Sequence, residues 1–208
     1  MQKVNEEDFH KVFDTQIIFR MLEDSVARPG KINNIGTVCK KINNPPSFSS
    51  GLTGIIFTLI DAETNFSVLA EQQQEIEEYI QWNTMSKSVD IEKADYLFVD
   101  KHLSEVEIKQ FMSSVKRGTL LNPHQSATIV LSVKKISTEK IDNNGLELHL
   151  KGPGIETTNI CYLSGASEVW IEEREKTNAE YPLGVDMYLV SEDGDLLCLS
   201  RTTVIERR

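Results

Sequence analysis

The sequence predicts an α/β or α+β domain that contains a mixed β-sheet. Segments with helical spacing of apolar residues alternate along the chain with short apolar strands, and no internal repeat is present. The 208 residues are 39% hydrophobic and 26% charged, which suits one soluble domain with a sizeable core. We therefore predict a single domain over residues 1–208.

The overall charge and the cysteines argue against several classes of protein. A formal net charge of −10 disfavours binding to nucleic acid or to anionic membranes, since both need a basic surface. The polar, acidic start of the chain predicts no secretory signal, and the longest apolar run, residues 55–60, is too short to span a membrane. Cys39, Cys161 and Cys198 are widely spaced and odd in number, which favours a cytoplasmic protein with free, buried thiols.

The first predicted element is a helix over residues 7–22 that continues to about residue 24. Its apolar residues recur at helical spacing, namely Phe9, Val12, Phe13 and Ile17. We expect the helix to stop before Arg28, because Pro29 followed by Gly30 marks a turn.

The rest of the first half mixes helices and strands. The apolar stretch over 52–60 is so short that its periodicity does not decide between helix and strand. The other predicted elements are a weak strand over 33–38, a loop over 43–51, a strand over 65–69, a helix over 71–83 and a strand over 94–99. The acidic outer face of the 71–83 helix is either a solvated surface or a docking face for a basic partner.

A capping box predicts where the next helix begins. Ser104 can accept a hydrogen bond from an amide of the first turn, and Glu107 can reach back to the backbone of Ser104. The apolar stripe that follows consists of Ile108, Phe111, Met112 and Val115. Two cations and a glycine are expected to end the helix, namely Lys116, Arg117 and Gly118.

The second half alternates turns and strands up to one further helix. A turn signal over 142–145 predicts that the strands over 127–133 and 146–150 form a hairpin. The other predicted elements are a turn over 123–126, a turn over 152–154 and a helix over 167–176. A second hairpin is expected to close the chain.

This closing hairpin carries the most specific feature of the sequence. Residues 181–190 leave a loop and enter an apolar strand that contains one acid, Asp186. A buried carboxylate needs a partner, and Arg201 lies just beyond the next apolar run. A turn over 192–195 would pair the two strands and bring Asp186 and Arg201 together. Such a pair acts either as a structural ion pair or as part of a site.

No complete set of catalytic or metal-binding residues is found in the sequence. No histidine has zinc-ligand spacing with a cysteine, and both a phosphate-binding loop and a nucleophile signature are missing. We therefore assign no catalytic residue, no metal and no cofactor. Gly152 and Gly154 form either a simple turn or a nest whose amides face an anion. Arg28 is either a surface residue beside a turn or an anion ligand.

Five short blocks of the sequence are more specific than these signals. In chain order they are QIIFRML (16–22), RPG (28–30), LKGPGI (150–155), YPLGVD (181–186) and RTT (201–203). In this order and at these separations, the blocks resemble the PhnH family, whose members are subunits of the bacterial carbon–phosphorus lyase system. The resemblance extends over about residues 9–206.

The resemblance implies a three-layer-like α/β domain with a mixed sheet. Its fold would be like that of the pyridoxal-phosphate-dependent transferases, without their cofactor site, and residues 52–60 would then form a helix. It also implies a homodimer. Members of the family act with the G, I and L proteins of the same system, which together form α-D-ribose 1-phosphonate 5-triphosphate from ATP and an alkylphosphonate. The J protein of the system, a radical iron–sulfur enzyme, later breaks the carbon–phosphorus bond. The resemblance therefore implies the G, I and J proteins of the complex as partners of this chain.

The leading hypothesis is a non-autonomous subunit of this assembly, with no catalysis by the chain alone. Its candidate binding residues are Arg28, Gly152, Gly154, Asp186 and Arg201. An equal alternative is that Asp186 and Arg201, together with Pro182 and Gly184, fix the fold and the dimer interface. Two further hypotheses stay open, namely a stand-alone module that binds an anion or nucleotide, and a pyridoxal-phosphate-type transferase.

Overall fold

Helices and two β-sheets make up the described part of the chain. The structure is a computed structural model that describes residues 8–141 and 145–207. Its helices are α1 (Phe13–Ala27), α2 (Gly36–Cys39), α3 (Ser50–Leu59), α4 (Gln73–Thr84), α5 (Glu105–Ser114) and α6 (Val169–Thr177). Its strands are β1 (Asn33–Asn34), β2 (Asn65–Leu69), β3 (Lys87–Ser88), β4 (Tyr96–Val99), β5 (Thr128–Val133), β6 (Lys135–Ser137), β7 (Leu146–Lys151), β8 (Asn159–Ser164), β9 (Asp186–Ser191), β10 (Asp195–Leu199) and β11 (Val204–Arg207).

A seven-stranded mixed sheet forms the middle layer. Its strand order is β1-β10-β9-β5-β4-β2-β3. The pairings from β3 across to β9 are parallel, whereas β10 and β1 are added in antiparallel orientation. The predicted α/β fold with a mixed sheet is confirmed.

The two faces of this sheet bury two separate hydrophobic clusters. Along β4, Leu97 and Val99 face one side and Phe98 faces the other, because successive side chains of a strand point in opposite directions. The Phe98 side is covered by the buried faces of α1, α2, α3 and α4. The Leu97 side is covered by α5, α6 and a second sheet. The fold therefore has three layers.

The second sheet contains four antiparallel strands in the order β11-β7-β8-β6. The predicted hairpin between residues 127–133 and 146–150 is wrong, since β5 pairs in the central sheet while β7 pairs with β8 and β11. Of its predicted turn, residues 142–144 lie outside the described residues. An apolar alternation shows that a strand has a buried face, but it does not identify the neighbouring strand.

The first helix begins at Phe13, later than predicted; residue 7 lies outside the described residues. Asp14, in the first turn of α1, accepts a hydrogen bond on its carboxylate from the amide of His10, which precedes the helix (2.8 Å). The predicted apolar stripe is also wrong, because Val12 and Phe13 are exposed. The buried residues of α1 are Asp14, Ile18, Leu22 and Ser25. Packing selects this stripe, since Gly54 of α3 leaves room for the Ile18 side chain.

Two ambiguous segments of the first half are now settled. Residues 52–60 lie mostly in α3, so the helix that the resemblance favoured is confirmed. Ser49 caps this helix by accepting a hydrogen bond from the Leu52 amide (3.4 Å). The weak strand predicted over 33–38 shrinks to β1, and the chain then turns into α2. That turn needs Gly36, because a Cβ there would clash with the Asp193 carbonyl oxygen.

The capping box of α5 is confirmed, with both reciprocal hydrogen bonds between Ser104 and Glu107. The predicted end of this helix is wrong, because α5 stops at Ser114 and Val115 is already extended. Lys116 lies beyond the end of the helix and forms an ion pair with Asp95 (2.6 Å). The remaining predicted elements that are observed, namely β2, β4, β5, α4 and α6, have bounds within two residues of those predicted. Strands β3, β6, β8 and β11 were not predicted, and β11 rather than a hairpin ends the described chain.

Candidate functional site

The second predicted hairpin is confirmed, and it brings Asp186 and Arg201 together. β9 and β10 pair in antiparallel register, with Met187 opposite Leu199. The Arg201 guanidinium donates from Nη2 (2.6 Å) and Nε (3.2 Å) to Oδ2 of Asp186. The backbone amide of Arg201 donates to Oδ1 of the same carboxylate (2.7 Å). Both carboxylate oxygens of Asp186 thus accept charge-assisted or backbone hydrogen bonds from Arg201.

The remaining donors of Arg201 bind the loops around the pair. Its Nη1 donates to the carbonyl oxygens of Pro123 (3.1 Å) and Pro182 (3.3 Å). Its Nη2 also donates to the Ser126 hydroxyl (2.7 Å). The side chain is only 18% exposed. All three nitrogens of the guanidinium are thus engaged by the protein itself, which favours a role for Asp186 and Arg201 in fixing the fold.

Three of the specific blocks meet beside this pair. Gly152 has a positive φ of 134°, and a Cβ there would lie 2.8 Å from the Thr202 carbonyl oxygen. Gly154 has a φ of 84°, and a Cβ there would clash with the Ala27 carbonyl and contact Pro29. These glycines are needed because the backbone of Thr202 and of Ala27 approaches them closely. The predicted turn at 152–154 is confirmed by the hydrogen bond from the Ile155 amide to the Gly152 carbonyl (3.1 Å).

Arg28 is placed differently from the other candidate residues. Its guanidinium forms an ion pair with Asp24, one turn earlier in α1, and the side chain is largely exposed. Asp24 also pairs with Lys31 (2.7 Å). Within residues 8–141 and 145–207, no hydrogen bond or ion pair links Arg28 to Asp186 or Arg201. The structure therefore pairs Asp186 with Arg201 and places Gly152 against Thr202, the neighbour of Arg201. Gly154 lies against Ala27 and Pro29, the neighbours of Arg28, while the Arg28 side chain pairs with Asp24.

A buried arginine on α6 supports the same region and was missed in the sequence. Arg174 is 1% exposed, and its Nη2 donates to the carbonyl oxygens of Leu199 (3.4 Å), Thr203 (3.2 Å) and Ser200. Its Nε has no hydrogen-bond partner in the described structure. Burial lowers the pKa of this guanidinium to about 10. The available signal was its spacing, since Arg174 lies four residues after Trp170 on the buried stripe of α6.

The opposite edge of the central sheet contains a small polar cleft. It lies where β4, β5 and β9 end, so Asp100, Ser132 and Glu192 reach it from three strand ends. The cleft has a volume of 210 Å³. A second cavity of 530 Å³ adjoins it and shares Lys134 and Glu192. Ligands of open α/β sheets bind outside the carboxyl ends of the parallel strands, so this edge is the second candidate site.

Asp100 is a half-buried ionisable group of this cleft. Its Oδ2 accepts a hydrogen bond from the Ser49 amide (2.6 Å), which links the end of β4 to the start of α3. Burial raises the pKa of the Asp100 carboxyl, and hydrogen bonds from the Ser49 amide and the Ser132 hydroxyl oppose that rise. The sequence signal was the position of an acid directly after an apolar strand. It was missed because the partner, Ser49, is distant in the chain.

Several basic side chains surround the cleft without pairing. Lys101, His102 and Lys134 line it, and Lys135 lines the adjoining cavity. In the part of the chain that the structure describes, the side chains of these residues form no hydrogen bond or direct ion pair, but Lys101 and His102 interact electrostatically with Glu107. Ser167 and Trp170, which lie at the start of α6, also line the cleft. The cleft therefore presents cations and hydroxyl groups together with the carboxyl groups of Asp100 and Glu192.

The thiols are set up for packing rather than for reaction. Cys39, Cys161 and Cys198 are free and buried, as predicted. Burial raises the pKa of Cys39 and of Cys161 to about 12, and it raises the pKa of Cys198 as well. A thiol must ionise to act as a nucleophile. Among residues 8–141 and 145–207, no group of three or more potential metal ligands is found, and no helix is long and apolar enough to cross a membrane.

The fold and the cleft together define the class of protein. It is an α/β protein with a mixed sheet and a small polar cleft at the carboxyl ends of the parallel strands. A profile of the family described as bacterial phosphonate metabolism protein (PhnH) matches residues 7–206. The chain belongs to this family, which confirms the resemblance found in the sequence.

Two relatives match most of the chain. The putative C-P lyase subunit protein HtxG of Stutzerimonas stutzeri is 27% identical over 190 residues, which cover 91% of this chain and 85% of that protein. Alpha-D-ribose 1-methylphosphonate 5-triphosphate synthase subunit PhnH of Rhizobium meliloti (strain 1021) is 28% identical over 199 residues, which cover 94% of this chain and 92% of that protein. Both relatives are named as subunits.

Proposed function

We propose that this chain is a non-autonomous subunit of the carbon–phosphorus lyase core complex. In that role it acts with the G, I and L proteins to form α-D-ribose 1-phosphonate 5-triphosphate from ATP and an alkylphosphonate. The observation that carries the proposal is the family match over residues 7–206, together with two relatives that are named as subunits of such systems.

The arrangement of polar groups supports an auxiliary role. Asp186 and Arg201 direct their hydrogen bonds toward each other and the surrounding loops, and the thiols are protonated at neutral pH. These groups therefore stabilise the fold. A chain of this kind contributes to a reaction by supporting or completing a site in an assembly.

An exposed apolar surface supports assembly with partners. Lys11 at the start of α1 donates to the Asn83 carbonyl (3.2 Å), which brings the start of α1 next to the end of α4. Large apolar side chains are exposed in these two segments, and three of them are Phe13 (64%), Trp82 (83%) and Met85 (70%). We call these three residues the α1/α4 surface. The two segments are adjacent, and large apolar side chains exposed on adjacent segments are candidates for a protein–protein contact.

The finer expectations belong to the same proposal. They are a single domain over 1–208, a cytoplasmic location, a homodimer in isolation, a likeness to the pyridoxal-phosphate-dependent transferase fold, and the G, I and J proteins as partners. Light scattering on the isolated chain tests the homodimer. An absorbance spectrum with added pyridoxal phosphate tests the transferase alternative, since a lysine Schiff base would give a yellow product.

Co-purification tests the proposed function directly. The chain is expressed with the G, I and J proteins from the same source and run on size exclusion with light scattering. Stoichiometric co-elution is expected. Synthase activity with ATP and methylphosphonate, measured for the G, I and L proteins with and without this chain, is expected to require it. A chain that never joins the complex and never changes the activity contradicts the proposal.

A further inference from the structure

A loop that precedes β5 exposes two adjacent leucines. Leu120 is 75% exposed and Leu121 is 90% exposed. They occupy the centre of a tight turn, in which the Thr119 amide donates to the Asn122 carbonyl oxygen (3.2 Å) and the Asn122 amide donates to the Thr119 carbonyl oxygen (3.1 Å). We call residues 117–126 the leucine loop.

Leucine is an unusual residue for the centre of such a turn. These positions are usually taken by glycine, asparagine, aspartate, proline or serine, which suit both the backbone and the solvent. The side chains of Leu120 and Leu121 gain little burial within their own chain, so they do not stabilise the fold. A local choice of residue that conflicts with the fold is expected where function requires it. The two leucines therefore indicate a contact outside this chain.

Backbone hydrogen bonds fix the base of the leucine loop. Arg117 and Ser126 form an antiparallel bridge, and just outside it the Ala127 amide donates to the Lys116 carbonyl oxygen (2.7 Å). The Arg117 carbonyl oxygen also accepts a hydrogen bond from the Gly184 amide (3.1 Å). A side chain on a fixed support loses little conformational freedom on binding, so the two leucines are preorganised to act as an anchor.

The Arg201 side chain ties the leucine loop to a second turn. Its Nη1 donates both to the Pro123 carbonyl oxygen in the loop (3.1 Å) and to the Pro182 carbonyl oxygen (3.3 Å). The turn that contains Pro182 carries an exposed aromatic residue, Tyr181, and an exposed acid, Glu180. One largely buried arginine thus holds two adjacent turns that both expose apolar side chains.

The chain around the leucine loop is basic, although the protein as a whole is acidic. Residues 108–138 contain four lysines, one arginine and no aspartate or glutamate. Lys116 is neutralised by its ion pair with Asp95 (2.6 Å), whereas the loop residue Arg117 is exposed. Complementary charge at an interface would therefore place an acid of the partner opposite Arg117.

Two other occupants of this surface are disfavoured. Anionic membranes attract clusters of cations, whereas the leucine loop has one arginine in a chain of net charge −10. A two-fold contact of the loop with a second copy of this chain would bring Arg117 of both copies together, and like charges repel. A different protein with an acid beside an apolar pocket has neither of these disadvantages.

We propose that the leucine loop is a docking anchor, which inserts Leu120 and Leu121 into an apolar pocket of a partner subunit while an acid of that subunit faces Arg117. The choice of a subunit of the same assembly as the partner rests on the proposed function. The loop is a second contact besides the α1/α4 surface.

Calorimetric titration of the full chain into a purified complex of the G, I and J proteins tests the anchor. The double variant Leu120→Ser/Leu121→Ser is expected to bind roughly tenfold more weakly than wild type or worse, because both apolar anchors are lost. Its melting temperature is expected to match that of wild type, since both side chains are exposed. Val106→Ser is the matched control, because it removes an exposed aliphatic side chain from α5, and it is expected to bind like wild type.

Salt tests the predicted charge of the pocket. The affinity of wild type for the complex is expected to fall as salt rises from about 0.05 M to about 0.5 M, because salt screens exposed charges. Arg117→Gln is expected to bind more weakly at low salt and to depend less on salt. Lys109→Gln is the control, since Lys109 is an exposed lysine of α5 outside the loop. An equal salt dependence of Arg117→Gln and wild type overturns the acid opposite Arg117.

The outcomes separate the anchor from the proposed function. Equal affinity of wild type and the Leu120→Ser/Leu121→Ser variant overturns the anchor and leaves the proposed function intact. A wild-type chain that does not bind the complex overturns both. Vesicles with anionic lipids and light scattering of the isolated chain test the other two occupants. The proposal is also overturned if the double variant loses vesicle binding or self-association while it still binds the complex like wild type.

Discussion

The carboxylate of Asp186 receives three hydrogen bonds from Arg201, which lies fifteen residues further along the chain. One comes from the Arg201 backbone amide and two come from its guanidinium. Because Asp186 begins β9 and Arg201 follows β10, the pair closes the base of the hairpin. The same guanidinium binds the loops at Pro123, Ser126 and Pro182. The Arg201 side chain thus links the end of β10 to two separate segments, the turn at 123–126 and the block at 181–186.

Arg201→Lys is expected to destabilise the protein almost as much as Arg201→Ala. Lysine keeps the charge but lacks the planar fork that reaches Asp186 and the loop carbonyls together. Each variant is expected to lower the free energy of unfolding by about 3 kcal/mol, since partners of a largely buried pair are left without donors. Urea denaturation of wild type and both variants measures this change in the free energy of unfolding. Arg207→Lys is the control, because the glutamates around Arg207 are exposed, and a change within about 0.5 kcal/mol is expected.

Gly152→Ala is expected to lower the free energy of unfolding by about 2 kcal/mol. The φ of 134° is unfavourable for a residue with a Cβ, and that atom would meet the Thr202 carbonyl oxygen at 2.8 Å. Pro153→Ala changes the residue between the two glycines and leaves their backbone contacts in place, so a smaller loss is expected from it. Thermal unfolding of both variants compares them. Equal melting temperatures would show that the turn is not held against Thr202.

The sequence predicted the local features of this region better than the contacts between distant segments. Asp186 and Arg201 could be paired because both flank one hairpin, whose register follows from a short turn. The buried face of α1 could not be predicted, because Gly54 of another helix selects it. The pairing of β7 was also predicted wrongly. Its neighbours β8 and β11 come later in the chain, and the turn signal before β7 does not identify them.

The cleft could not be assembled from the sequence either. Asp100, Ser132, Ser167 and Glu192 come from four segments, and each is an ordinary polar residue in its own surroundings. Their meeting depends on the strand order of the sheet, which no local pattern encodes. The order places the ends of β4, β5 and β9 side by side.

The three thiols are expected to resist modification in the native protein. With pKa values of about 12 for Cys39 and Cys161, the thiolate fraction at pH 8 is on the order of one in ten thousand. A disulfide reagent at pH 8 should therefore react slowly with native protein and quickly, with all three thiols, after denaturation. Ser113→Cys adds an exposed thiol on α5 as a positive control. A rapidly reacting native cysteine would contradict the packing role.

Asp100→Asn is expected to raise the melting temperature at pH 7 and above. Burial raises the pKa of this carboxyl in the folded state, so its contribution to stability is full below the ordinary pKa of aspartate and is lost as pH rises through the folded value. Asparagine removes the charge and can still accept from the Ser49 amide. The advantage of the variant should therefore shrink as pH falls toward about 4.

Melting temperatures of wild type and Asp100→Asn are compared at each pH from about 4 to 8. Lys101, His102, Lys134 and Glu192 line the same cleft in both proteins, so their own contributions largely cancel in the difference. Asp90→Asn is the control, since Asp90 is exposed and pairs with the exposed Lys93. A variant that is less stable than wild type at pH 8 would show that the Asp100 charge is needed.

Trp82→Ser is expected to reduce co-elution with the G, I and J proteins without destabilising the chain. Trp82 is 83% exposed, so the folded protein loses little packing and its free energy of unfolding should change by at most about 0.5 kcal/mol. An exposed tryptophan that a partner covers is, in contrast, a frequent hot spot, and its truncation weakens binding by about 2 kcal/mol or more. Val106→Ser is the control, because Val106 is exposed on α5 in the other helical layer. Unchanged co-elution of Trp82→Ser would place the partner contact away from the α1/α4 surface.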